Sequence, residues 1–218
     1  MRSTVDILQN VKPTPTIEKD TVSLEEFFID SVNIGKRKFN KIELSKYRKA
    51  DSFYVVVKFY SKQNGKWTLK NRYGYEKDGI LGLDPKLSDF NNDGLNDLTY
   101  ISATAARGAN EIRRLFIYNR AKDQLISLKN SQEYPNMLYN KELNCIDAFL
   151  VSGDCTTVFL KITGDSLKEF ASVSLSDGLT VRTYNTKGDE KIIFQDPTNK
   201  ARFARYMNFN PLKEYDKY

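Results

Sequence analysis

The chain contains no histidine among its 218 residues. That absence removes the usual general base of serine and cysteine hydrolases, and the commonest zinc ligand with it. Cysteine is scarce: Cys145 and Cys155 are the only two. No apolar run reaches the roughly 18 to 20 residues that a membrane-spanning helix needs. The opening residues, MRSTVDILQNVKPTPTIEKD, lack the apolar centre of a signal peptide. A GxSxG elbow, a phosphate loop and an HExxH helix are all missing. Carboxylate-pair chemistry stays open, because Asp and Glu number 28 and glycosidases work through such pairs. Otherwise the sequence leans away from an enzyme.

What is present suits a packed core. Hydrophobic residues make up 40% and aromatic residues 12%, enough for one large domain or two small ones. Lys and Arg number 34 against 28 acidic residues, giving a net charge of +6. These charges are interspersed, and the densest clusters, GKRKFNK and KYRK, are short enough to be solvated strand edges or turns. Nucleic acid is therefore not the expected partner, whereas a polyanion such as a cell-wall polymer is compatible with the charge. The Pro/Thr-rich PTPT near the start reads as a tether, and residues 1–22 are expected to lie outside a single domain over 23–218. An exported protein whose signal and lipid anchor lie outside this sequence is one reading; a cytoplasmic protein is the other.

Local patterning reads as strands. FYVVVKFY is β-branched and aromatic, SKQNGK supplies an Asn-Gly turn, and WTLKNRYGYE runs on from it. RLFIYNR, QLISL, CTTVFLKI, EFASVSL, LTVRTYN and KIIFQD follow, divided by polar turns such as Asp177-Gly178 and Lys187-Gly188-Asp189. The helix-like candidates are SLEEFFIDSV and the stretch around YPNMLYNKEL, both short. Dense short strands of this kind predict an all-β sandwich, barrel or propeller. At roughly 40 to 50 residues a blade, the length suits about five blades, irregular ones since no clean repeat is visible.

Cys145 and Cys155 flank a hairpin-like stretch that turns at Ser152-Gly153-Asp154. A strand rises about 3.3 Å per residue, while a disulfide needs Cα atoms within about 7 Å. A bond between the two, expected in an oxidising compartment, thus requires an irregular path through Ile146 to Val151.

The stretch DFNNDGLND, Asp89 to Asp97, is the most chemically loaded in the chain. The plain reading is an Asx-rich turn. The sharper one is a calcium cradle, since calcium takes six to eight hard oxygens and D-x-[DN]-x-[DN]-G supplies them at alternate positions round a glycine. Asp89, Asn91 and Asp93 fill positions one, three and five, Leu95 offers its carbonyl, and Asp97 stands at nine. Tyr100 occupies position twelve, so the bidentate Glu of an EF-hand is missing, and LTYIS after the loop reads as a strand. One structural calcium ion is the expected cofactor.

DxNxDGxxD running into a strand resembles the calcium loops of FG-GAP and related propeller repeats. From about Leu83 to Leu175 the order DFNNDGLNDL, RGANEIRRLFIYNRAKDQLISL, YPNMLYNKEL, CIDAFLVSGDCTTVFLKI and LKEFASVSL resembles a wider family. These are bacterial periplasmic and lipoprotein β-propellers that inhibit lysozyme-like peptidoglycan hydrolases, first met as immunity proteins of xanthomonad type IV secretion systems. The resemblance implies a non-catalytic inhibitor in the periplasm or anchored at the outer membrane, whose loops enter the cleft of a peptidoglycan hydrolase effector. Arg107, Arg113 and Arg114, just past the metal loop, are the candidate partner-binding residues, since guanidinium suits a carboxylate. A calcium-dependent adhesion or glycan-binding module, with exposed Tyr and Trp67 as a stacking platform, is the alternative. A carboxylate-pair glycosidase is a further one.

Overall fold

The computed structural model describes residues 21–216, so the expected tether over residues 1–22 lies outside the described residues except for its last two. Among the described residues, all regular structure beyond two short 3-10 turns is β. Four strands, β1 (Val22–Asp30), β2 (Asn40–Lys49), β3 (Ser52–Gln63) and β4 (Lys66–Lys77), form one antiparallel meander. A second meander comprises β5 (Lys86–Ser88), β6 (Asp97–Ala105), β7 (Asn110–Asn119) and β8 (Gln124–Ser127). A six-stranded sheet then runs in order from β14 (Glu190–Asp196) through β13 (Leu179–Tyr184), β12 (Ser166–Ser174), β11 (Cys155–Thr163) and β10 (Cys145–Val151) to β9 (Leu138–Asn140). A hairpin of β15 (Tyr206–Phe209) and β16 (Leu212–Glu214) completes the described chain.

The sheets pack in series because their central strands are apolar on both faces. On β7, Phe116 and Tyr118 face the first meander, joining Ile42, Leu44, Val57 and Phe59 in one core. Leu115 and Ile117 point the other way, into a second core with Ile146, Ala148, Val158 and Leu160 of the six-stranded sheet. On β11 the same alternation turns Phe159 away from Val158 and Leu160, into a third core with Val173, Val181 and Tyr206. Each fully buried side chain of this size contributes about 1.5 to 3 kcal/mol relative to exposure. The period of two along each strand is what lets one strand serve two cores.

The segments that read as strands are strands, and the Asn-Gly, Asp177-Gly178 and Lys187-Gly188-Asp189 stretches each link consecutive strands. Asn64 and Gly65 take φ of +49° and +78° between β3 and β4, the primed-turn geometry that matches strand twist. The helix-like reading of SLEEFFIDSV is corrected: Val22–Asp30 is a strand. Pairing with β2 overrides the helix preference of Leu and Glu, and a bulge between Leu24 and Glu26 resets the alternation so that Phe28 turns toward the first core. Around YPNMLYNKEL, too, Leu138–Asn140 is a strand. Lys46, in the KYRK cluster read as solvated, is buried, donating to the Leu81 carbonyl at 3.2 Å and lying 3.6 Å from Glu26 Oε1.

Candidate functional site

The loop from Asp89 to Asp97 links β5 to β6, and its folding is written into its own side chains. Asp89 accepts from the Asp93 amide through Oδ1 at 3.1 Å and from the Gly94 amide through Oδ2 at 2.8 Å. Asn91 Oδ1 also accepts from the Asp93 amide at 3.2 Å, and Asp93 Oδ1 accepts from the Leu95 amide at 2.9 Å. These are the backbone-mimicking turns that Asp and Asn favour. Gly94 takes φ of +80°, a conformation that L side chains resist, and it lets the chain reverse there.

Asp97 closes the loop from beneath. Its side chain is fully buried, with Oδ2 accepting from the Phe90 amide and Oδ1 from the Tyr118 amide, both at 2.8 Å. It therefore ties the loop's start to β7. Burial pushes its carboxyl up to about 7, against the pull of the two amides, and the charges of Asp93 and Asp89 push the same way. On its outer side the loop meets the β1–β2 connection, where the Gly35 amide donates to the Asn96 carbonyl at 3.0 Å and Asn96 Nδ2 donates to the Asn33 carbonyl at 3.2 Å.

In kind, this donor set fits a hard cation. Asp89, Asn91, Asp93, Asp97 and the Leu95 carbonyl offer only oxygens, which calcium prefers. Among the described residues no Lys or Arg forms an ion pair with any of the three carboxylates. Burial above all, and the charges of Asp93 and Asp89 to a smaller degree, work against the ionised form of Asp97, and a divalent ion would offset that cost. Among the described residues no three acidic or cysteine side chains already converge as a preformed cage.

The three arginines do not form one cluster. Arg107 is exposed at the tip between β6 and β7, with φ of +57°. That tip lies at the far end of β6 from the metal loop. Arg113 is corrected as a partner-binding residue: it is 4% exposed and fully engaged within the protein. Its Nε donates to Thr99 Oγ1 at 3.0 Å, and its Nη1 donates to Glu111 Oε1 at 2.6 Å and Asp84 Oδ2 at 3.0 Å. Arg114 follows on the opposite face of the strand, as alternation requires, and its guanidinium lies 3.7 Å from the Tyr75 ring centroid.

The expected disulfide is also corrected. Cys145 and Cys155 are free and buried. The β10–β11 register pairs Val151 with Cys155 and Ile146 with Leu160, placing the two cysteines at opposite ends of a regular hairpin. At about 3.3 Å per residue, that separation far exceeds the reach of an S–S bond. Burial raises both thiols, Cys145 to about 12, so they stay protonated.

Sequence reasoning missed two polar nodes, the first half-buried and the second fully buried. Asp123 accepts from Ser61 Oγ at 2.5 Å, Tyr118 Oη at 2.8 Å and Asn40 Nδ2 at 3.1 Å, joining the first two meanders. Asp147 and Arg205 pair within the third core region, both side chains fully buried. Partners separated by 58 to 83 positions leave no local signature.

No family model matches the chain, and no curated protein matches it. A solved structure described as that of a Xanthomonas type IV secretion system related protein is similar over 82% of this chain and 96% of its own, at 10% identity and a TM-score of 0.46.

Proposed function

We propose that this protein is an exported, calcium-held inhibitor of a peptidoglycan hydrolase, without catalysis of its own. The observation that carries the reading is the Asp89–Asp97 loop, with three carboxylates, no ion-paired base among the described residues, and a glycine-centred turn braced against two sheets. Bound calcium would be held by Asp89, Asn91, Asp93, Asp97 and the Leu95 carbonyl, and its part would be to neutralise the loop and stiffen it. The chain's own residues supply the rest: Asp97 fixes the loop to β7, and Asn96 fixes it to the β1–β2 connection.

The fold is proposed as an irregular propeller. Two consecutive up-and-down meanders of four strands, packed face on face, are what blades look like. Five blades would need the six-stranded sheet and terminal hairpin to divide further, so fewer and less regular blades fit the described strands better. Arg107 stays a contact candidate at its exposed tip. The protein is placed in the periplasm or at the outer membrane through an anchor outside this sequence. Its +6 charge would steer it toward an acidic cleft. The glycan-platform alternative loses support, because Lys41 and Lys62 lie 5.6 and 5.5 Å from the Trp67 ring centroid and compete for its faces.

The test is direct. Purified protein with calcium should inhibit at least one lysozyme-type hydrolase encoded near its gene, in a saturable manner and more weakly as salt rises. Chelation should lower the melting temperature, since an ion bound only to the folded state adds stability, and Asp93→Ala should abolish that sensitivity. Inhibition of none of those enzymes, or glycan cleavage by the protein itself, would sink the inhibitor reading. A melting curve indifferent to both calcium and chelator would sink the metal.

A further inference from the structure

Between β4 and β8 lies a cavity of about 400 Å³ whose walls include Asn71, Tyr73, Tyr75, Arg114, Lys129 and Asp165. The aromatic side is rigid. The Tyr73 and Tyr75 rings stack at 6.2 Å, and both hydroxyls are committed, Tyr73 to the Leu125 carbonyl at 2.6 Å and Tyr75 to Ser127 Oγ at 2.7 Å. At the rim, Lys129 and Asp165 neutralise each other across 2.7 Å. That leaves Arg114 as the uncompensated charge of the cavity.

Arg114 is half-buried, and among the described residues no carboxylate pairs with it. Its Nε is sealed from solvent with no hydrogen-bond partner, and the hydroxyl of Tyr100, its cross-strand neighbour, is likewise buried and unpartnered. Burial pulls the Arg114 pKa downward, opposed by Tyr100 and Tyr75 but by no carboxylate. A desolvated guanidinium is costly unless it is paired. Stacking on Tyr75 recovers only part, about 2 kcal/mol at best. A guanidinium without a carboxylate partner, stacked on Tyr75 in the wall of this cavity, is what points to a ligand there.

We propose that this cavity binds a small carboxylate, with the Arg114 guanidinium as its counter-ion and the tyrosine rings as its apolar walls. A planar fork of N–H donors matches a carboxylate in shape as well as charge. The wall of Tyr73 and Tyr75 favours a ligand with an apolar or sugar-ring body over a compact inorganic anion. The proposal stands independently of the inhibitor reading, since the cavity lies in the groove between the two meanders and uses neither the metal loop nor Arg107.

The test follows the Arg114 Nε–H resonance by NMR in the full chain while acetate, N-acetylmuramic acid, N-acetylglucosamine or inorganic phosphate is added. Both acids should shift it saturably, the muramic acid more tightly, whereas the neutral sugar and phosphate should not. In Arg114→Met, followed through the tyrosine ring signals, acid binding should weaken about tenfold or more, the value of one charged hydrogen bond. Arg114→Lys keeps the charge without the fork and should bind more weakly than wild type, which decides the matter if the methionine variant fails to fold. No saturable shift with either acid, an equal shift with phosphate, or unchanged binding in the lysine variant would each overturn the proposal.

Discussion

At the scale of single residues, burial decides what a charge is for. Arg113 and Arg114 are neighbours in sequence and look alike there, yet alternation sends one into an ion-paired interior position and the other into an aromatic groove. Arg113 joins Thr99, Asp84 and Glu111, with the two acids 50% and 36% exposed. Because water still reaches those acids, Arg113→Met should cost about 2 kcal/mol rather than the larger loss of a fully buried pair. For a chain of this size that corresponds to a fall of about 4 to 8 °C in melting temperature. The hydrogen bond from Arg113 holds the Asp84 carboxyl below its ordinary value. A lowered folded pKa adds stability above the unfolded value and loses it as pH falls through the folded one. Wild type should therefore lose stability below about pH 4, and the variant should lose less there. Thermal melts of both proteins over that range check the pair; an unchanged melting temperature at neutral pH would return Arg113 to the surface.

At the scale of elements, most of the fold was legible and most of its spacing was not. Val55, Val56, Val57 and Phe59 announce β3 by their β-branched and aromatic side chains, and Asn64-Gly65 announces the turn after it. The turn from Asp89 to Asp97 was equally legible, since its turn-forming side chains lie within nine residues and bond to one another's backbone. β1 reads as helix because Leu and Glu favour one locally, and only β2 beside them decides otherwise. Turn chemistry likewise conceals its cost. Gly65 and Gly178 both have positive φ, +78° and +100°, and both follow a polar turn residue. A Cβ on Gly65 would meet nothing within 4 Å, whereas one on Gly178 would stand 2.7 Å from the Asp196 carbonyl oxygen and from Pro197 Cα. Gly65→Ala should cost about 1 kcal/mol of backbone strain alone. Gly178→Ala should cost about 3 kcal/mol, because backbone at the end of β14 must move. Urea midpoints at constant slope will separate them, and equal losses would mean that the Gly178 turn relaxes freely.

At the scale of the whole molecule, three cores in series need ties that no single hairpin provides. The last of these joins the C-terminal segment to the six-stranded sheet. Arg205 Nε donates to Asp147 Oδ1 at 2.7 Å, and its Nη2 donates to the Asn136 carbonyl at 2.9 Å. Tyr215 Oη donates to Asp147 Oδ2 at 2.5 Å, and Asn140 Nδ2 donates to the same oxygen at 3.0 Å while reaching the Met207 carbonyl at 2.8 Å. Asp147, on β10, thus gathers groups from β9, the loop before β15 and the residues after β16, the last of them 68 positions away. None of this could be read locally, because each partner alone looks like an ordinary charged or turn residue. Removing one member leaves a buried charge unpaired, so Asp147→Asn and Arg205→Met should each cost about 3 to 5 kcal/mol. Removing both discards the two desolvation penalties together, so Asp147→Asn with Arg205→Met should cost less than the sum of the single changes. The loss should also be local in native-state hydrogen exchange. Amides of β15 and β16 should open first, while those of β3 and β7, which share the first core, keep their protection relative to the global limit. Additive losses in the double variant would mean that Asp147 and Arg205 act separately, and uniform exchange across all three cores would mean that the molecule unfolds as one unit without this clasp as its weak point.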